Sequence, residues 1–469
     1  MKVHLIGVCG TAMATLAALL QRRGHDVQGS DQHIYPPMSD FLRREGIRLL
    51  DGYQAAHITP DLDMVVVGNA ISRGNAELEA VLDRRVRYCS LPEAVREYFL
   101  RDAWPVVLAG THGKTTTTAL TAWLLTHGGL DPSLLVGGIA KNFGDGGTSY
   151  RVGAGRHFVI EGDEYDSAFF DKTAKFLKYV PQVAVIGNVE FDHADIYADF
   201  AAVQLAFRRL VNLVPRSGLL LLGADDEGAR ALRPFAVSPV ETFGLAPDAD
   251  WRAEDVSSRD GVTRFTVRYQ GRACGAFASP LLGHHNVRNA LAAIAVGHWA
   301  GLTAEALAAG LAAFTGIKRR LEVVGQARGV TVIDDFAHHP TAVRETLAAL
   351  RSGYPDRRIW AIFEPRSASS CRRVFQDAFA EAFSSADEAM IAGVYRSNLP
   401  EAERLDAVQL VADLAARGQR ARYIPEVAGI VSAVAAEARE GDVVMVMSNG
   451  GFGGIHGLLL EALSRVPQA

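Results

Sequence analysis

The segment VVLAGTHGKTTTT, residues 106–118, constrains the fold more than any other. An apolar strand, Val106–Ala109, runs into Gly110-Thr111-His112-Gly113, and a helix opens at once at Lys114-Thr115. A strand–turn–helix unit of this kind belongs to parallel α/β architecture. Backbone N–H groups of such a turn, with the positive end of the helix, cradle phosphate oxygens. Lys114 is placed to reach the outer phosphates and the Thr115 hydroxyl to hold Mg²⁺. Leu108 stands where the strict pattern has glycine, so the compact form Gly110–Thr115 carries the reading. The alternative is a tight turn with a chance lysine.

The same alternation of short apolar runs and helical patterns extends along nearly all 469 residues, a length suited to about three domains. The first stretch reads as strand Val3–Ile6, helix Thr11–Arg23 and strand Val27–Ser30. Strand Met64–Val67 and helices near Asn75–Asp83 and Pro92–Leu100 follow, up to a Pro-marked junction at RDAWP. The second unit adds helices near Thr115–His127 and Phe200–Val214, and strands His157–Ile160 and Val183–Ile186. Its VTRFTVRYQ and RACGAFA runs predict a small antiparallel sheet, and Ala-rich helices near Asn286–Ala300 and Ala304–Phe314 close it. TGIKRRLEVVG leads into a third unit with strands Val330–Ile333, Ile359–Phe363 and Val443–Met447.

Composition narrows the function classes. A net charge of −5 with 22% charged residues argues against a protein built on nucleic acid, which carries a basic stripe. No apolar run approaches the roughly 20 residues that span a bilayer, and MKVHLIGVCG enters a strand without a signal-peptide pattern. Cys9, Cys89, Cys274 and Cys371 form no CxxC pair, which favours reduced thiols and a cytoplasmic location.

Four further clusters carry chemistry. Gly7-Val8-Cys9-Gly10-Thr11, with Asp31 ending the second strand, occupies the place of a dinucleotide fingerprint but lacks its second and third glycines. A nucleotide diphosphate, NAD or a structural turn all fit it. VIEGDEYDSAFFDK puts Glu161, Asp163, Glu164 and Asp166 after a strand, as Mg²⁺ ligands or as a solvated acidic loop. VIGNVEFDHADIY offers Asn188, Glu190, Asp192, His193 and Asp195, with His193 either a second-metal residue or a hydrogen-bonding one. His285, Asn286 and Asn289 begin a helix, where amides at i and i+3 share a face that suits a nucleobase edge or a plain polar cap. In IDDFAHHPTAV, Asp334, Asp335, His338 and His339 fall at a strand's carboxyl end, where α/β sheets bind ligands.

Taken in order, GTHGKTT, EGDEYD, NVEFDH, GHHNVRN and DDFAHHP resemble the Mur ligase family over essentially the whole chain. SDQHIYPPMS, DEYDSAFFDK, EFDHADIY, FEPRS and MSNGGFGGIH resemble the branch that joins UDP-N-acetylmuramate to a recycled murein tripeptide, L-alanyl-γ-D-glutamyl-meso-diaminopimelate. An alanine-adding branch shares most of these motifs. Ala368-Ser369-Ser370 stands where the family that this chain resembles usually has Asn-Thr and an apolar residue.

The resemblance implies an α/β three-domain architecture. A Rossmann-like UDP-binding domain (1–104) precedes a P-loop ATPase domain with a small antiparallel sheet (105–316) and a Rossmann-like acceptor domain (317–469). It implies an ATP- and Mg²⁺-dependent, cytoplasmic ligase with neither nucleic-acid nor membrane partners. Gly110, Thr111, His112, Gly113, Lys114, Thr115 and Thr116 would bind ATP phosphates. Asn289, Arg320 and Asp335 would complete that site. Thr115 and Glu161 would face one Mg²⁺ and His193 a second, with Lys114, Glu161 and His193 catalytic. Gly7, Gly10, Thr11, Asp31 and Asn188 would hold the UDP-sugar, and Arg366 in FEPRS an acceptor carboxylate. Several relatives carry a carbamylated lysine near the second Mg²⁺. Here no lysine lies between Lys178 and Lys318, and Arg208 stands near the corresponding place.

Overall fold

The computed structural model describes residues 1–35, 38–259, 261–395 and 399–465. Pro36 and Pro37 of SDQHIYPPMS lie outside the described residues. The chain forms two compact units. The first comprises Met1–Ile139, Phe143–Val189 and Ala201–Thr242; the second comprises Ala140–Asn142, Glu190–Phe200 and Phe243–Ala469.

The first unit contains two parallel arrangements. One is a five-stranded sheet in the order Arg48–Asp51, Asp26–Asp31, Lys2–Ile6, Met64–Val67 and Tyr88–Ser90, all pairs parallel. Helix Thr11–Arg22 follows the Gly7 turn, with Met13–Leu20 buried. The second centres on Trp104–Ala109, paired in parallel with Val183–Ile186 and His157–Gly162. Leu219–Gly223 extends it beside Val183–Ile186. This LLLLG strand is not among the expected elements, because its uniform apolarity gives no period to read. The reading of a helix at Pro92–Leu100 is refined to an α-helix Leu91–Val95 followed by a π-helical turn Arg96–Leu100.

In the second unit the expected small antiparallel sheet is present, as Val262–Tyr269 paired with Trp251–Arg259 and Arg272–Ser279. A six-stranded sheet follows, in the order Glu322–Ala327, Val330–Asp335, Val443–Met447, Ile359–Phe363, Glu388–Ile391 and Arg420–Tyr423. The first pair is antiparallel and the rest parallel. Helices cover both faces, so the central strands Ile359–Phe363 and Val443–Met447 are apolar throughout and alternate residues serve opposite cores. Ile359, Ala361 and Phe363 pack with Val343, Leu347 and Phe379. Trp360 and Ile362 pack with Ile430, Val434 and Leu459. No described helix is long and apolar enough to cross a membrane.

One buried carboxylate ties this sheet together. Asp442 Oδ2 accepts from Arg358 Nη2 (2.6 Å), Trp360 Nε1 (2.9 Å) and the Arg439 amide (3.0 Å). Burial opposes its ionisation, but these donors outweigh burial and hold its pKa below the usual value. A depressed folded-state pKa contributes stability above the unfolded value, about 3.9, and that contribution is lost as pH falls through the folded one. Asp442→Asn should therefore cost about 2 kcal/mol at neutral pH, with the difference shrinking in acid. Urea midpoints of both proteins across the acid range check this.

Candidate functional site

The phosphate-loop geometry follows from two glycines. Gly110 has φ +133° and Gly113 φ +80°, backbone states that side chains disfavour. At Gly110 a Cβ would also stand 3.1 Å from the Asn188 carbonyl oxygen and 3.2 Å from the Asn188 nitrogen. Asn188 clamps this loop: its Oδ1 accepts from the His112 amide (2.7 Å) and its Nδ2 donates to the His112 carbonyl (3.2 Å). Its backbone carbonyl accepts from the Thr111 amide at 3.0 Å. Helix Lys114–His127 begins at Gly113 with no side-chain cap, so its first amides, Lys114 to Thr116, form an anion-binding start.

Lys114 folds back over that start. Its Nζ donates to the carbonyls of Gly110 (2.8 Å) and Thr111 (3.1 Å) and to Glu164 Oε1 (2.8 Å). Burial would lower its pKa, but Glu164, Asp163 and Glu161 raise it on balance, so the ammonium stays charged. Thr115 Oγ1 donates to Glu161 Oε1 at 3.0 Å, and Glu161 Oε2 accepts from the Gly137 amide at 2.7 Å. Burial pushes the Glu161 carboxyl upward against that amide and Lys114. Lys175 and Lys114 draw Asp163 downward despite its burial, and Lys175 Nζ sits 2.6 Å from Asp163 Oδ2. A hydroxyl and a carboxylate oxygen side by side at a phosphate-binding turn are the hard donors Mg²⁺ takes, so these residues fit the ion.

At the other glycine turn, the amides of Gly7 and Val8 donate to the Ser30 carbonyl. Asp31 accepts from the amides of Cys9 and Gln32, each at 2.8 Å, and from the Tyr53 hydroxyl at 3.3 Å. Helix Thr11–Arg22 starts at Gly10, again without a side-chain cap. This start can receive an anion, with Asp31 shaping the turn. All of Gly7, Gly10, Thr11, Asp31, Asn188 and the Gly110–Thr116 loop lie in the first unit.

His193, Asn289, Arg320, Asp335 and Arg366 lie in the second unit. His193 is buried at φ +54°, beside the Asp192 carboxylate, 3.8 Å from its Nε2. An imidazole and a carboxylate there fit a divalent cation. Asn289 Nδ2 donates to Asn286 Oδ1 at 3.1 Å, so the two amides do share a face. Asp335 Oδ2 accepts from the Leu321 amide (2.7 Å) and Oδ1 from the Ala337 amide (2.8 Å), which fixes the end of the linker. The Arg320 guanidinium lies 4.8 Å from the Phe336 ring centre. Arg366 stacks on Tyr395 at 3.7 Å, with Glu364 Oε1 at 3.5 Å from its Nη1.

Comparison with known proteins decides the family. Residues 2–102 match the model described as Mur ligase family, catalytic domain. Residues 108–297 match Mur ligase middle domain, and residues 319–450 match Mur ligase, glutamate ligase domain. The chain belongs to the Mur ligase family. It is 40% identical to the UDP-N-acetylmuramate--L-alanyl-gamma-D-glutamyl-meso-2,6-diaminoheptandioate ligase of Escherichia coli, over 100% of both chains. A crystal structure of a murein peptide ligase from Psychrobacter arcticus matches at TM-score 0.71 and 36% identity, covering 100% of each chain. That of UDP-N-acetylmuramate-alanine ligase from Thermotoga maritima matches at TM-score 0.80 and 25% identity, covering 98% of each.

Several partners in this ligase were not legible beforehand. Glu164 stood out only as one of four acidic residues, and its pairing with Lys114 has no spacing signature. Tyr395 under Arg366 and Ser369 beside His193 come from distant segments. Arg208 is exposed and stacks over Phe235 at 3.9 Å, in a groove also lined by Gln204, Leu205 and Leu232. Removing one partner of a buried ion pair leaves the other charge uncompensated, at a cost of roughly 3 kcal/mol or more. Glu164→Gln should show that loss in chemical denaturation, whereas Asp166→Asn, whose Lys172 partner is largely exposed, should lose less than about 1 kcal/mol.

Proposed function

We propose that this protein is the ATP-dependent ligase that joins UDP-N-acetylmuramate to the murein tripeptide L-alanyl-γ-D-glutamyl-meso-diaminopimelate. The observation that carries the reaction class is the Thr115–Glu161 pair beside the buried Lys114 charge at an uncapped helix start. The acceptor rests on full-length 40% identity to a ligase named for that peptide. Residues 1–104 serve as the UDP-sugar domain, 105–316 as the ATP domain and 317–469 as the acceptor domain. ATP and a UDP-sugar as substrates, with four free cysteines, fit a cytoplasmic enzyme.

A carboxylate is a poor electrophile. The UDP-N-acetylmuramate carboxylate oxygen attacks the γ-phosphorus of ATP, the bond from that phosphorus to the β–γ bridging oxygen breaks, and ADP departs as an acyl phosphate forms. The peptide amine then adds to the carbonyl and, as the tetrahedral intermediate collapses, loses its proton and expels phosphate. Lys114 and the amides of Lys114 to Thr116 hold and orient the transferring phosphoryl group, as positioning and electrostatics dominate such transfers. Thr115 and Glu161 would hold one Mg²⁺ and His193 a second, ions that when bound supply positive charge against the phosphate oxygens. Asn188 keeps the loop in shape from behind while Gly7, Gly10 and Thr11 receive the UDP diphosphate. Asn289, Arg320 and Asp335 complete the nucleotide site. The acceptor amine has a reference pKa of about 7.7–8.0, so its deprotonation needs little help.

Lys114→Ala breaks the buried Glu164 pair and should be destabilised as Glu164→Gln is. Its folded fraction should lose ligation by about 10²-fold or more, the scale of a lost charge-stabilising contact. Near-normal phosphate release in a folded variant would remove Lys114 from the site.

The acceptor is tested by initial rates with UDP-N-acetylmuramate, Mg²⁺-ATP and either tripeptide or free L-alanine. The tripeptide should react far faster. Arg366 supports this, because a stacked guanidinium can hold a carboxylate bidentately. Arg366→Ala should narrow the preference chiefly through the tripeptide KM. Equal or better use of alanine would move the protein to the alanine-adding branch.

A further inference from the structure

Two buried serines, Ser369 and Ser370, follow FEPRS, and the structure gives both hydroxyls partners. Ser369, only 2% exposed, lies 176 residues from the turn it meets. Its Oγ donates to Asp192 Oδ1 and accepts from the His193 amide at 3.1 Å. The same amide donates to Asp192 Oδ1 at 2.7 Å. His193 needs this support, because it holds a left-handed φ of +54°, a state costly to a residue with a Cβ. Its carbonyl meanwhile accepts from the amides of Ile196 (2.8 Å) and Tyr197 (3.0 Å), which closes the turn.

The position of Ser369 is itself set. Ser370 Oγ accepts from the amides of Arg366 and Ser367, each at 2.9 Å, and Ser367 Oγ lies 2.8 Å from Ser370 Oγ. Hydroxyls thus lock the turn that carries Arg366. Two other contacts reach the same loop: Thr341 Oγ1 donates to Glu190 Oε2 at 2.7 Å, and the His339 ring meets the Phe191 carbonyl at 3.3 Å. Of the three, Ser369 engages the His193 amide directly.

We infer that Ser369 is a positioning residue for His193: its hydroxyl fixes the backbone that aims the imidazole, so the turn presenting Arg366 also sets the second metal-binding turn. This rests on the proposed role of His193 at a divalent cation. The role needs a group that donates and accepts at once. Threonine keeps both functions, cysteine keeps them weakly and alanine has neither. Groups that orient a metal-binding side chain typically carry a 10–100-fold effect on affinity.

Mn²⁺ binding to the full chain with a non-hydrolysable ATP analogue, followed by electron paramagnetic resonance of free Mn²⁺, reads this without turnover. His193→Ala, Ser369→Ala, Ser369→Thr and Ser369→Cys are compared with the unaltered protein. The expected result is about tenfold weaker Mn²⁺ binding in Ser369→Ala, restoration in Ser369→Thr, and a matching rise in the Mg²⁺ needed for ligation. Unchanged binding in His193→Ala removes the metal role of His193 and the inference with it. Weakening in His193→Ala but not in Ser369→Ala overturns the inference alone. Equal weakening in Ser369→Ala and Ser369→Thr also overturns it, since packing would then be the cause. Should the alanine variant not fold, Ser369→Cys decides: binding equal to the unaltered protein overturns the inference, and weakened binding supports it.

Discussion

A lysine ammonium held almost out of water at the start of a helix is the constraint around which the first unit is arranged. Removing such a charge from water costs several kcal/mol before compensation. The loop carbonyls of Gly110 and Thr111 and the Glu164 carboxylate supply that compensation. Those acids then need partners of their own. Asp163 pairs with Lys175, and Glu161 draws on the Thr115 hydroxyl and the Gly137 amide. One cation therefore dictates the contents of the strand end at Glu161–Asp163 and the glycine at position 137. A Cβ at that glycine would stand 3.0 Å from Glu161 Oε2. The result is an ammonium that stays charged at the helix start although it is almost out of water.

Parallel pairing spreads the same logic over the chain. In a parallel sheet all carboxyl ends lie on one edge, so turns that follow the strands gather there. The Gly7 turn follows Lys2–Ile6, the Gly110 turn follows Trp104–Ala109, and Glu161 ends His157–Gly162. In the second unit Asp335 ends Val330–Asp335, Arg366 follows Ile359–Phe363, and Ser448 follows Val443–Met447. Ser448 and Arg366 are joined through Glu364, whose Oε2 accepts from the Ser448 hydroxyl at 2.5 Å. Strand order, rather than nearness in sequence, decides which polar groups can meet.

This explains what the sequence made legible and what it did not. Strands buried on both faces appear as solid apolar runs, and Val330–Ile333, Ile359–Phe363 and Val443–Met447 were found by that signal. LLLLG at residues 219–223 is a run of the same kind, and in such short runs pattern alone does not separate strand from helix. Glycine-marked turns were legible through their spacing, since positive φ and close backbone approach leave few residue choices. Pairings across long sequence separations were not: Asn188 with His112, Lys114 with Glu164, Tyr395 with Arg366. Each needs the register of a sheet to exist before the partners are neighbours. The division into two units was not legible either, since its boundaries, among them Thr242/Phe243 and Val189/Glu190, carry no composition shift.

Two adjacent buried hydroxyls show how burial dictates partners. Ser369 bonds the Asp192 carboxylate and the His193 amide. The Ser370 hydroxyl is fully buried, and burial obliges it to find partners. It does so locally, accepting from the Arg366 and Ser367 amides. A buried apolar residue there would leave those two amides to find other acceptors. Ser370 therefore braces the Arg366 turn from within, while Ser369 makes the contact that reaches outward to His193.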